Sequence, residues 1–485
     1  MDLIDRPPGE IVSGEVLFEG RDLLTLPRER RRAISGSRIA MILQDPLSHL
    51  NPVYTVGSQI AETMTTHGTP RAEARARTLE LMGRVGIPEP ETRYSAYPHQ
   101  FSGGQRQRLM IAMALGLKPD ILIADEPTTA LDVTVQARVL QLLEELRDET
   151  GMGLLLITHD LGVVAETADR VVVMSGGRIV ETGGAAEVYR APRHPYARKL
   201  IGAVPGGGAM ARPVEAPAAL LQIEHLTKRY GDFAALDGIS LTVQPGETVA
   251  IVGESGSGTS TLAKCLLRLE EPTTGRALWK GEDLVTTDPR RLFGLRRAIQ
   301  MVFQDPAQSL NPRMTVVRIV GEAFAIHPEV LPEAERSARI RELLGQVGLG
   351  PGHARRYAHQ FSGGQRQRIA IARALALEPE LIVCDEGVSA LDVSVQAQVI
   401  ALLRDLEDRL GLNYLFIAHD LPLVRDFAHR VVVMQGGRIV EQGSVAQIFE
   451  APREPYTRAL IAASLHPDPE IQNERRRARL AGEPA

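Results

Sequence analysis

Residues 253–261, which read GESGSGTST, have the residue types of a phosphate-binding loop. The apolar segment ETVAIVG leads into this stretch, and the helix-forming segment TLAKCLLRL follows it. Glycine lets the backbone turn tightly enough for successive N–H groups to surround phosphate oxygens, and a helix N-terminus adds a favourable dipole. A glycine run alone predicts an ordinary turn, but the order strand, glycine loop, helix favours phosphate binding. The residues predicted to bind phosphates are Gly253, Glu254, Ser255, Gly256, Ser257, Gly258, Thr259, Ser260 and Thr261.

Polar residues at the ends of other apolar segments have the chemistry to bind a magnesium ion and to activate water. ELIVCDE ends in Asp385 and Glu386, and NYLFIAHD contains His419 near its end. Oxygen ligands suit Mg²⁺, which favours a site made of Ser260 and Asp385, with Gln304 as a catalytic neutral ligand that reaches the metal or the attacking water. Glu386 would polarise an attacking water, and His419 would contact the terminal phosphate. The alternative is that two acids simply end a strand in solvent.

These residue types occur a second time, at a constant distance along the chain. HQFSGGQRQR at 99–108 returns at 359–368, which is a shift of 260 positions. The same shift relates the later set of polar residues to an earlier one, namely Gln44, Asp125, Glu126 and His159. We interpret the repeat as a tandem duplication of a whole domain. Two acid pairs at one spacing favour a functional role over solvated acids, so the earlier set receives the same roles, with Asp125 as the Mg²⁺ ligand.

The elements that position these residues are predicted to be α/β, with a parallel sheet flanked by helices in each copy. Ligands of such sheets bind at the carboxyl ends of the strands, where the polar residues fall. PGGGAMARPVEAPAA, at 205–219, has the composition of a flexible linker. We therefore predict a first domain over 1–204, a second domain over 220–465 and a charged tail over 466–485.

The composition is typical of a folded protein and limits the kinds of metal centre that the chain could form. The chain has 485 residues, of which 44% are hydrophobic, and a formal net charge of −5. This charge gives no support to general nucleic-acid binding. Its two cysteines, Cys265 and Cys384, exclude a disulfide framework and a four-cysteine metal site, and their apolar neighbours predict buried thiols. No run approaches the roughly 18 apolar residues that a membrane-spanning helix needs, so a membrane role requires a partner.

FSGGQ, at 101–105 and again at 361–365, resembles the signature motif of ATP-binding cassette (ABC) proteins. The resemblance extends to the Q-loop glutamines, the Asp-Glu pairs of Walker B, the D-loops TALD and SALD, and the switch histidines. QDPLSHLNP, QDPAQSLNP, APRHPY and APREPY are similar to the dipeptide and oligopeptide importer branch, and the fused tandem form resembles ATPase subunits that serve glutathione or peptide importers. The resemblance covers nearly the whole chain apart from the linker and the tail.

The resemblance implies that ATP, with Mg²⁺, binds between the Walker A loop of one copy and the signature of the other. The signature residues implied to bind ATP are Ser102, Gly103, Gly104 and Gln105 in the first copy and Ser362, Gly363, Gly364 and Gln365 in the second. Tyr230 would stack on adenine, with ordinary packing as the alternative. The implied partners are two integral-membrane permease subunits and, through them, a substrate-binding protein. The chain would lie peripherally on the cytoplasmic face of the inner membrane and would not bind nucleic acid.

Three departures from the family pattern affect the expected activity. The loop that corresponds to 253–261 would precede residue 1, so we expect a truncated first copy that lacks about 41 positions, with a degenerate gene as the alternative. Thr259 stands where the Walker A lysine is expected, and Lys264 lies too far along the helix to replace it. Gly387 replaces the Pro127 of the first copy. The alternatives to a peptide importer are a soluble tandem ABC protein that acts on ribosomes or DNA and a catalytically dead transporter scaffold.

Overall fold

The computed structural model describes residues 9–44, 49–128, 131–203, 218–388, 391–466 and 468–481. The chain divides into two compact units, of which the first is Met1–Leu131 with Val135–His159. The second is Asp132–Thr134 with Asp160–Ala485. Most of the predicted linker and two residues of each D-loop, at 129–130 and 389–390, lie outside the described residues. The domain boundaries drawn from the repeat stay a prediction.

The first unit is built on a three-stranded parallel sheet in the order β3-β4-β5, preceded by a short antiparallel pair, β1-β2. The strands are β1 (Leu17–Phe18), β2 (Arg21–Asp22), β3 (Ile39–Ile42), β4 (Ile121–Asp125) and β5 (Gly153–Ile157). The helices are α1 (Arg28–Ile34), α2 (Val56–Thr65), α3 (Arg71–Arg84), α4 (Pro90–Arg93), α5 (Gly103–Ala114) and α6 (Val133–Thr150), whose first two residues belong to the second unit. Apolar side chains of α2, α3 and α5 form one core with β3 and β4.

The second unit contains a six-stranded sheet in the order β13-β14-β15-β10-β16-β17, in which only β17 is antiparallel to its neighbour. A four-stranded antiparallel sheet, β12-β11-β8-β9, and a hairpin, β6-β7, complete its strands. The bounds are β6 (Arg170–Ser175), β7 (Arg178–Gly184), β8 (Leu221–Tyr230), β9 (Phe233–Val243), β10 (Thr248–Val252), β11 (Thr274–Trp279), β12 (Glu282–Asp283), β13 (Ile299–Val302), β14 (Leu381–Asp385), β15 (Asn413–Ile417), β16 (Arg430–Gln435) and β17 (Arg438–Ser444).

One face of this six-stranded sheet packs against helices, and the other packs against the four-stranded sheet together with α10 and α11. Every residue of β10, β14 and β15 is consequently buried. The helix α13 shows how the faces form, because Val316, Ile319, Val320 and Phe324 recur at helical spacing and are all buried. The helices are α7 (Leu161–Thr167), α8 (Ala185–Arg190), α9 (Pro195–Gly202), α10 (Thr259–Leu266), α11 (Pro289–Leu295), α12 (Pro306–Ser309), α13 (Val316–Ile326), α14 (Glu333–Gln346), α15 (Gly363–Leu375), α16 (Val393–Leu410), α17 (Leu421–Phe427), α18 (Val445–Glu450), α19 (Pro455–Ala463) and α20 (Pro469–Ala481). None of the described helices has the length and hydropathy required to cross a bilayer.

The two copies differ at the strand that leads into the phosphate loop. In the second copy, β10 pairs with β15 on one side and with β16 on the other. The strands that correspond to these neighbours in the first copy are β5 and β6, and among the described residues β5 pairs only with β4 and β6 only with β7. The apolar residues on these strands are consequently exposed, by 54%, 46%, 53% and 58% at Leu155, Ile157, Val172 and Met174. Their counterparts are all 0% exposed, namely Leu415, Ile417, Val432 and Met434.

The segment expected to be a charged tail forms the helix α20, which packs against α7 and α8. The side chain of Gln472 is fully buried and donates a hydrogen bond to Glu166. The Nη1 group of Arg475 donates to the carbonyl oxygen of Ser464 at 3.1 Å. This part of the tail is therefore a packed element, although its composition is that of a solvated segment. Cys265 and Cys384 are buried and free, as predicted from their neighbours.

Candidate functional site

The glycine loop of the second copy connects the buried strand β10 to the helix α10. Two of its glycines are required by close packing. A Cβ on Gly253 would lie 2.5 Å from the carbonyl oxygen of Met434, and one on Gly258 would overlap the carbonyl oxygen of Ala235. Gly258 also has a φ of 101°, which other residues rarely adopt. The strand, loop and helix that the sequence predicts are therefore present, in a conformation that glycine alone accommodates.

The loop offers hydrogen-bond donors that the protein itself leaves unused. The hydroxyl of Ser257 is buried and has no partner among the described residues. The helix α10 begins at Thr259, and the first N–H groups of a helix have no acceptor within it. Such an N-terminus attracts anions through its dipole and its donors. The side chain of Thr259 is 6% exposed, so a neutral hydroxyl occupies a buried position where a lysine would bring a charge.

A hydroxyl and a carboxylate lie side by side below the loop. Ser260 Oγ donates to Asp385 Oδ1 at 2.9 Å, and Asp385 is 4% exposed. Burial raises the pKa of Asp385, and the charge of Glu386 adds to this effect, while the Ser260 hydrogen bond opposes it. No group of three or more acidic, histidine or cysteine side chains within the described ranges is arranged to hold a metal ion. The pair fits Mg²⁺ that takes its other ligands from phosphates and water, which is how this ion is commonly bound.

Glu386 is held by two polar side chains. Gln304 Nε2 donates to Glu386 Oε2 at 2.6 Å, and His419 Nε2 lies 2.5 Å from Glu386 Oε1. The sequence predicts that Gln304 reaches the metal or the attacking water, and in the structure its amide bonds to the expected base. Glu386 has a φ of 49°, in the left-handed region, and its N–H donates to the Ile417 carbonyl at 3.0 Å. A non-glycine residue held in this region is strained, and such strain is often found at functional sites.

His419 connects Glu386 to the phosphate loop. Its Nδ1 lies 2.8 Å from the carbonyl oxygen of Gly253 while its Nε2 faces Glu386, so both ring nitrogens face oxygen acceptors. Burial alone would lower the pKa of His419, but the hydrogen bond and the charge of Glu386 raise it above its usual value. Burial would likewise raise the pKa of Glu386, but the hydrogen bond and charge of His419, together with the hydrogen bond from Gln304, bring it below its usual value. This geometry favours an imidazolium paired with a carboxylate.

The first copy contains the same arrangement of the corresponding residues within the first unit. Gln44 Nε2 donates to Glu126 Oε2 at 2.6 Å, and His159 Nδ1 lies 3.0 Å from Glu126 Oε1. Glu126 has a φ of 48°, as its counterpart does, and follows Asp125, the last residue of β4. His159 uses Nδ1 where His419 uses Nε2. In the second copy, Nδ1 of His419 already faces the Gly253 carbonyl oxygen, so Nε2 is the nitrogen that meets Glu386. The two histidine rings are therefore oriented differently.

Each signature motif begins a helix with the same reciprocal cap. Ser102 and Ser362 are the N-caps of α5 and α15, and each hydroxyl accepts from the backbone N–H three residues later. The side chains of Gln105 and Gln365 return to the N-cap N–H groups at 3.1 and 3.2 Å. The motif therefore makes a capped helix N-terminus, which is suited to an anion.

The two glycines within each signature have different roles. A Cβ on Gly364 would overlap Val395 Cγ1, and one on Gly104 would lie 3.1 Å from Val135 Cγ1. These glycines let the signature helix approach its neighbour. A Cβ on Gly103 would meet no atom within 4 Å, and one on Gly363 only a side-chain carbon at 3.4 Å. Packing within the unit therefore explains why Gly104 and Gly364 are glycines. It does not explain Gly103 and Gly363, which no close contact among the described residues of the unit requires to be glycine.

Tyr230 ends β8 with a ring that is 46% exposed. Lys228 Nζ lies 4.7 Å from the ring centroid, and the ring is otherwise accessible to a stacking partner. An exposed aromatic ring fits adenine stacking better than it fits core packing. Its role in binding stays a prediction.

Comparisons with known proteins agree on the family. The ABC transporter family matches residues 6–129 and 236–389, and the oligopeptide/dipeptide transporter C-terminal region matches 180–225 and 440–485. The chain is similar to the peptidoglycan transport ATP-binding protein YejF of Agrobacterium fabrum, with 48% identity over 96% of this chain and 87% of that protein. It is also 45% identical to the glutathione import ATP-binding protein GsiA of Escherichia coli, over 98% of this chain and 83% of that one. The chain belongs to the ABC transporter family.

Among solved structures, the ABC transporter component cbiO1 of Clostridium perfringens is 31% identical, with a TM-score of 0.44, and the match covers 48% of this chain and 91% of that one. The oligopeptide/dipeptide match, which extends to residue 485, includes α20, the helix that composition alone described as a tail.

Three contacts of the ABC phosphate loop were not predicted from the sequence. Ser255 N–H donates to Asp132 Oδ1 at 2.5 Å, and Thr134 donates to the Glu254 carboxylate, all within the second unit. Glu254 N–H also donates to the hydroxyl of Tyr456 at 3.3 Å. The repeated APRHPY and APREPY motifs were the available signal for this tyrosine, but the sequence offered no contact for it.

Proposed function

We propose that this ABC protein is the ATP-hydrolysing subunit of an importer for peptides or glutathione. The observation that carries the proposal is Glu386 held by Gln304 and His419 next to a phosphate loop, with the same three residue types joined in the first copy. The similarity to YejF and GsiA, whose names refer to peptidoglycan transport and glutathione import, supports the substrate class.

Different residues of the second copy would have different roles in ATP hydrolysis. The Ser257 hydroxyl and the first N–H groups of α10 would bind the phosphates, and Ser260 with Asp385 would hold Mg²⁺, which supplies charge neutralisation when bound. Glu386 is well suited to accept a hydrogen bond from the attacking water, because its lowered pKa keeps it ionised. His419 would keep this carboxylate oriented. Thr259 contributes at most a hydroxyl, so we expect weak ATP binding and slow turnover at this loop.

The signature of the first copy would complete this site. Ser102, Gly103 and Gly104 would close over residues 253–261 when ATP binds, and hydrolysis would release them. Ser362, Gly363 and Gly364 would serve the other site in the same way. The movement would act on two integral-membrane permease subunits, fed by a substrate-binding protein, from a peripheral position on the inner membrane.

The test is purification with the permease subunits, followed by ATPase measurement on the assembled transporter. We expect co-purification with the permeases and a low ATPase rate that rises when Thr259→Lys restores the charge. Glu386→Gln in the Thr259→Lys chain should remove that increase. Recovery of the chain only with ribosomes would contradict the importer, and an increase that survives Glu386→Gln would contradict the role of the base.

A further inference from the structure

A cavity of about 520 Å³ lies among the C-terminal helices of the second unit. Residues of α8 and α9, from the first copy, line it together with residues of α17, α18, α19 and α20 from the second. Its volume is within the roughly 300–1,000 Å³ that is typical of small-molecule sites. Its apolar lining includes Tyr189, Ile201, Phe449, Ile461 and Leu465. None of the nucleotide-site residues belongs to it.

The charged groups of the lining are Arg190, Arg425, Arg475, Asp426, Asp468 and Glu470. Several of them already have partners in the protein. Glu470 pairs with Arg190, and Asp468 Oδ1 accepts from the Glu470 N–H at 2.8 Å. Within the described ranges, the guanidinium of Arg425 has the Phe449 ring at 5.9 Å and no carboxylate in ion-pair range. The guanidinium of Arg425 and the neighbouring Phe449 ring, in this partly enclosed space, are suited to bind an anion that also has an apolar part.

His466 adds a neutral donor to the same lining. Its Nδ1 accepts from the Asp468 N–H at 3.1 Å, which leaves the ring hydrogen of the neutral form on Nε2. Burial, together with the charges of Arg475 and Arg425, lowers the pKa of His466. Near neutral pH the imidazole is therefore uncharged and presents an N–H group close to these two guanidinium groups.

We propose that this cavity binds a small organic acid, with its carboxylate at Arg425 and its apolar part against Phe449. The ligand class follows from the chemistry of the lining and does not depend on peptide import.

Two helices connect this cavity to the nucleotide site. The helix α17 follows His419 and Asp420, and its Leu421 shares a small space with Gly253 and His419, while its Arg425 lines the cavity. The helix α19 has Tyr456 near its start, at the Glu254 N–H, and Ile461 in the cavity wall. A ligand that shifts either helix must also shift the groups that contact the phosphate loop. Occupancy of the cavity should therefore change ATP affinity, and ATP should change ligand affinity by the same factor.

The binding test uses the intact chain and a matched pair of probes, N-acetylphenylalanine and its uncharged amide. Titration by calorimetry or ligand-observed NMR should show that the acid binds at least about tenfold more tightly than the amide, as expected when a charge-assisted contact is lost. Arg425→Gln should abolish this preference, and Arg425→Lys should keep most of it. The control is Arg458→Gln on α19, because Arg458 contacts main-chain carbonyls outside the cavity.

Arg425→Gln and Arg425→Lys are compared only after thermal unfolding shows that both are as stable as the parent chain. If Arg425→Gln disturbs folding, Arg425→Lys still tests the proposal. Equal binding of acid and amide, no binding of the acid up to roughly 10 mM, or the same loss in Arg458→Gln would overturn the proposal. The coupling is measured with labelled ATP, with and without the acid. Because the acid binds at Arg425 and not at the phosphate loop, a chain that failed to bind ATP would still report on the cavity.

Discussion

Thr259 determines how much charge the phosphate loop of the second copy can offer. The backbone of the loop, the Ser260–Asp385 pair and the Glu386–His419 pair all have the geometry of a working site. The side chain at 259 is neutral and buried, so nothing at that position balances the phosphate charges. The site of the second copy is therefore well formed in its geometry, but we expect it to be inefficient because this charge is missing.

Thr259→Lys should tighten ATP binding substantially. Loss of one preorganised donor typically costs on the order of 10²–10³ in rate, and loss of a full charge should cost at least as much. Titration with labelled ATP and Mg²⁺ measures the change. The control is Lys264→Gln, which should alter the affinity of the parent chain only slightly, because this lysine is exposed one turn along α10. A large loss in the control, or equal affinity of the parent and Thr259→Lys chains, would show that another cation already serves the phosphates.

The Glu386–His419 pair should make stability depend on pH in a predictable direction. Its contribution requires an ionised Glu386, whose pKa is lowered, and a protonated His419, whose pKa is raised. The glutamate contribution is present above the usual carboxyl pKa of about 4.3, and the histidine contribution is complete below about 6.5 and is lost as pH rises through the raised value. The stability difference between the parent chain and His419→Gln should therefore shrink from pH 5.5 to pH 9.

Thermal unfolding at each pH measures this difference, and Glu386→Gln supplies the matched background. In the Glu386→Gln chain, His419→Gln should have a much smaller pH-dependent effect, because the partner charge is absent. A difference that grows towards pH 9 would contradict the assigned protonation states.

At the scale of elements, the duplicated strands show that burial depends on the neighbouring strand. Leu155 on β5 and Leu415 on β15 occupy equivalent positions of the repeat, with exposures of 54% and 0%. The difference arises because β15 has β10 beside it, while β5 pairs only with β4 among the described residues. An exposed apolar strand edge is also a surface to which another strand can add.

Leu155→Lys should change stability by less than about 0.5 kcal/mol, as is usual for exposed positions. Leu415→Lys should cost several times more, because it places an unpaired charge in the core. Thermal unfolding of the two variants side by side is the measurement. If the two variants lost comparable stability, the edge of β5 would have to be covered by another strand in the isolated protein.

At the scale of the whole molecule, the proposed closure of one copy on the other is open to cross-linking. The chain has only two cysteines, both buried, with the pKa of Cys265 raised to about 11 and that of Cys384 to about 12 by burial. These thiols should not compete with cysteines introduced at the surface.

Ser102→Cys combined with Ser255→Cys should cross-link within the chain when ATP and Mg²⁺ are present, most efficiently in a Thr259→Lys background. The reason is that the first signature should cover the loop of the second copy. The control pair is Ser362→Cys with Ser255→Cys, since both lie in the second copy and should remain apart. Electrophoresis without reductant reports the result. Cross-linking of the control pair instead of the first pair would refute the head-to-tail arrangement.

Local pattern was enough to predict several parts of this ABC protein. The order strand, glycine loop, helix around 253–261 is a property of neighbouring residues, and the structure contains β10, the loop and α10 there. The cap of the first signature helix was not predicted, although it too is local, because the reciprocal hydrogen bonds of Ser102 and Gln105 span three positions. The repeat itself indicated two copies with one set of polar residues each. These features depend on interactions that are short in sequence.

Other features depend on residues that are far apart in the chain. Gln304 was expected to reach the metal or the attacking water, and the sequence did not indicate that its amide bonds to Glu386, 82 positions away. Tyr456 contacts Glu254 across 202 positions, and no local pattern predicts that hydrogen bond. The segment beyond residue 466 reads as solvated because charge dominates its composition, yet α20 buries Gln472 against its neighbours.

Residue types and short spacings were enough to identify the family-type chemistry of this protein, because a phosphate loop, an acid pair and a signature motif each consist of residues that are close in the sequence. Tertiary structure alone decided which nitrogen of His419 meets Glu386, which leucines are covered and where the C-terminal cavity lies. The physical reason is that burial and hydrogen-bond partners are set by elements that pack together from distant parts of the chain. A pattern in neighbouring residues does not contain that information.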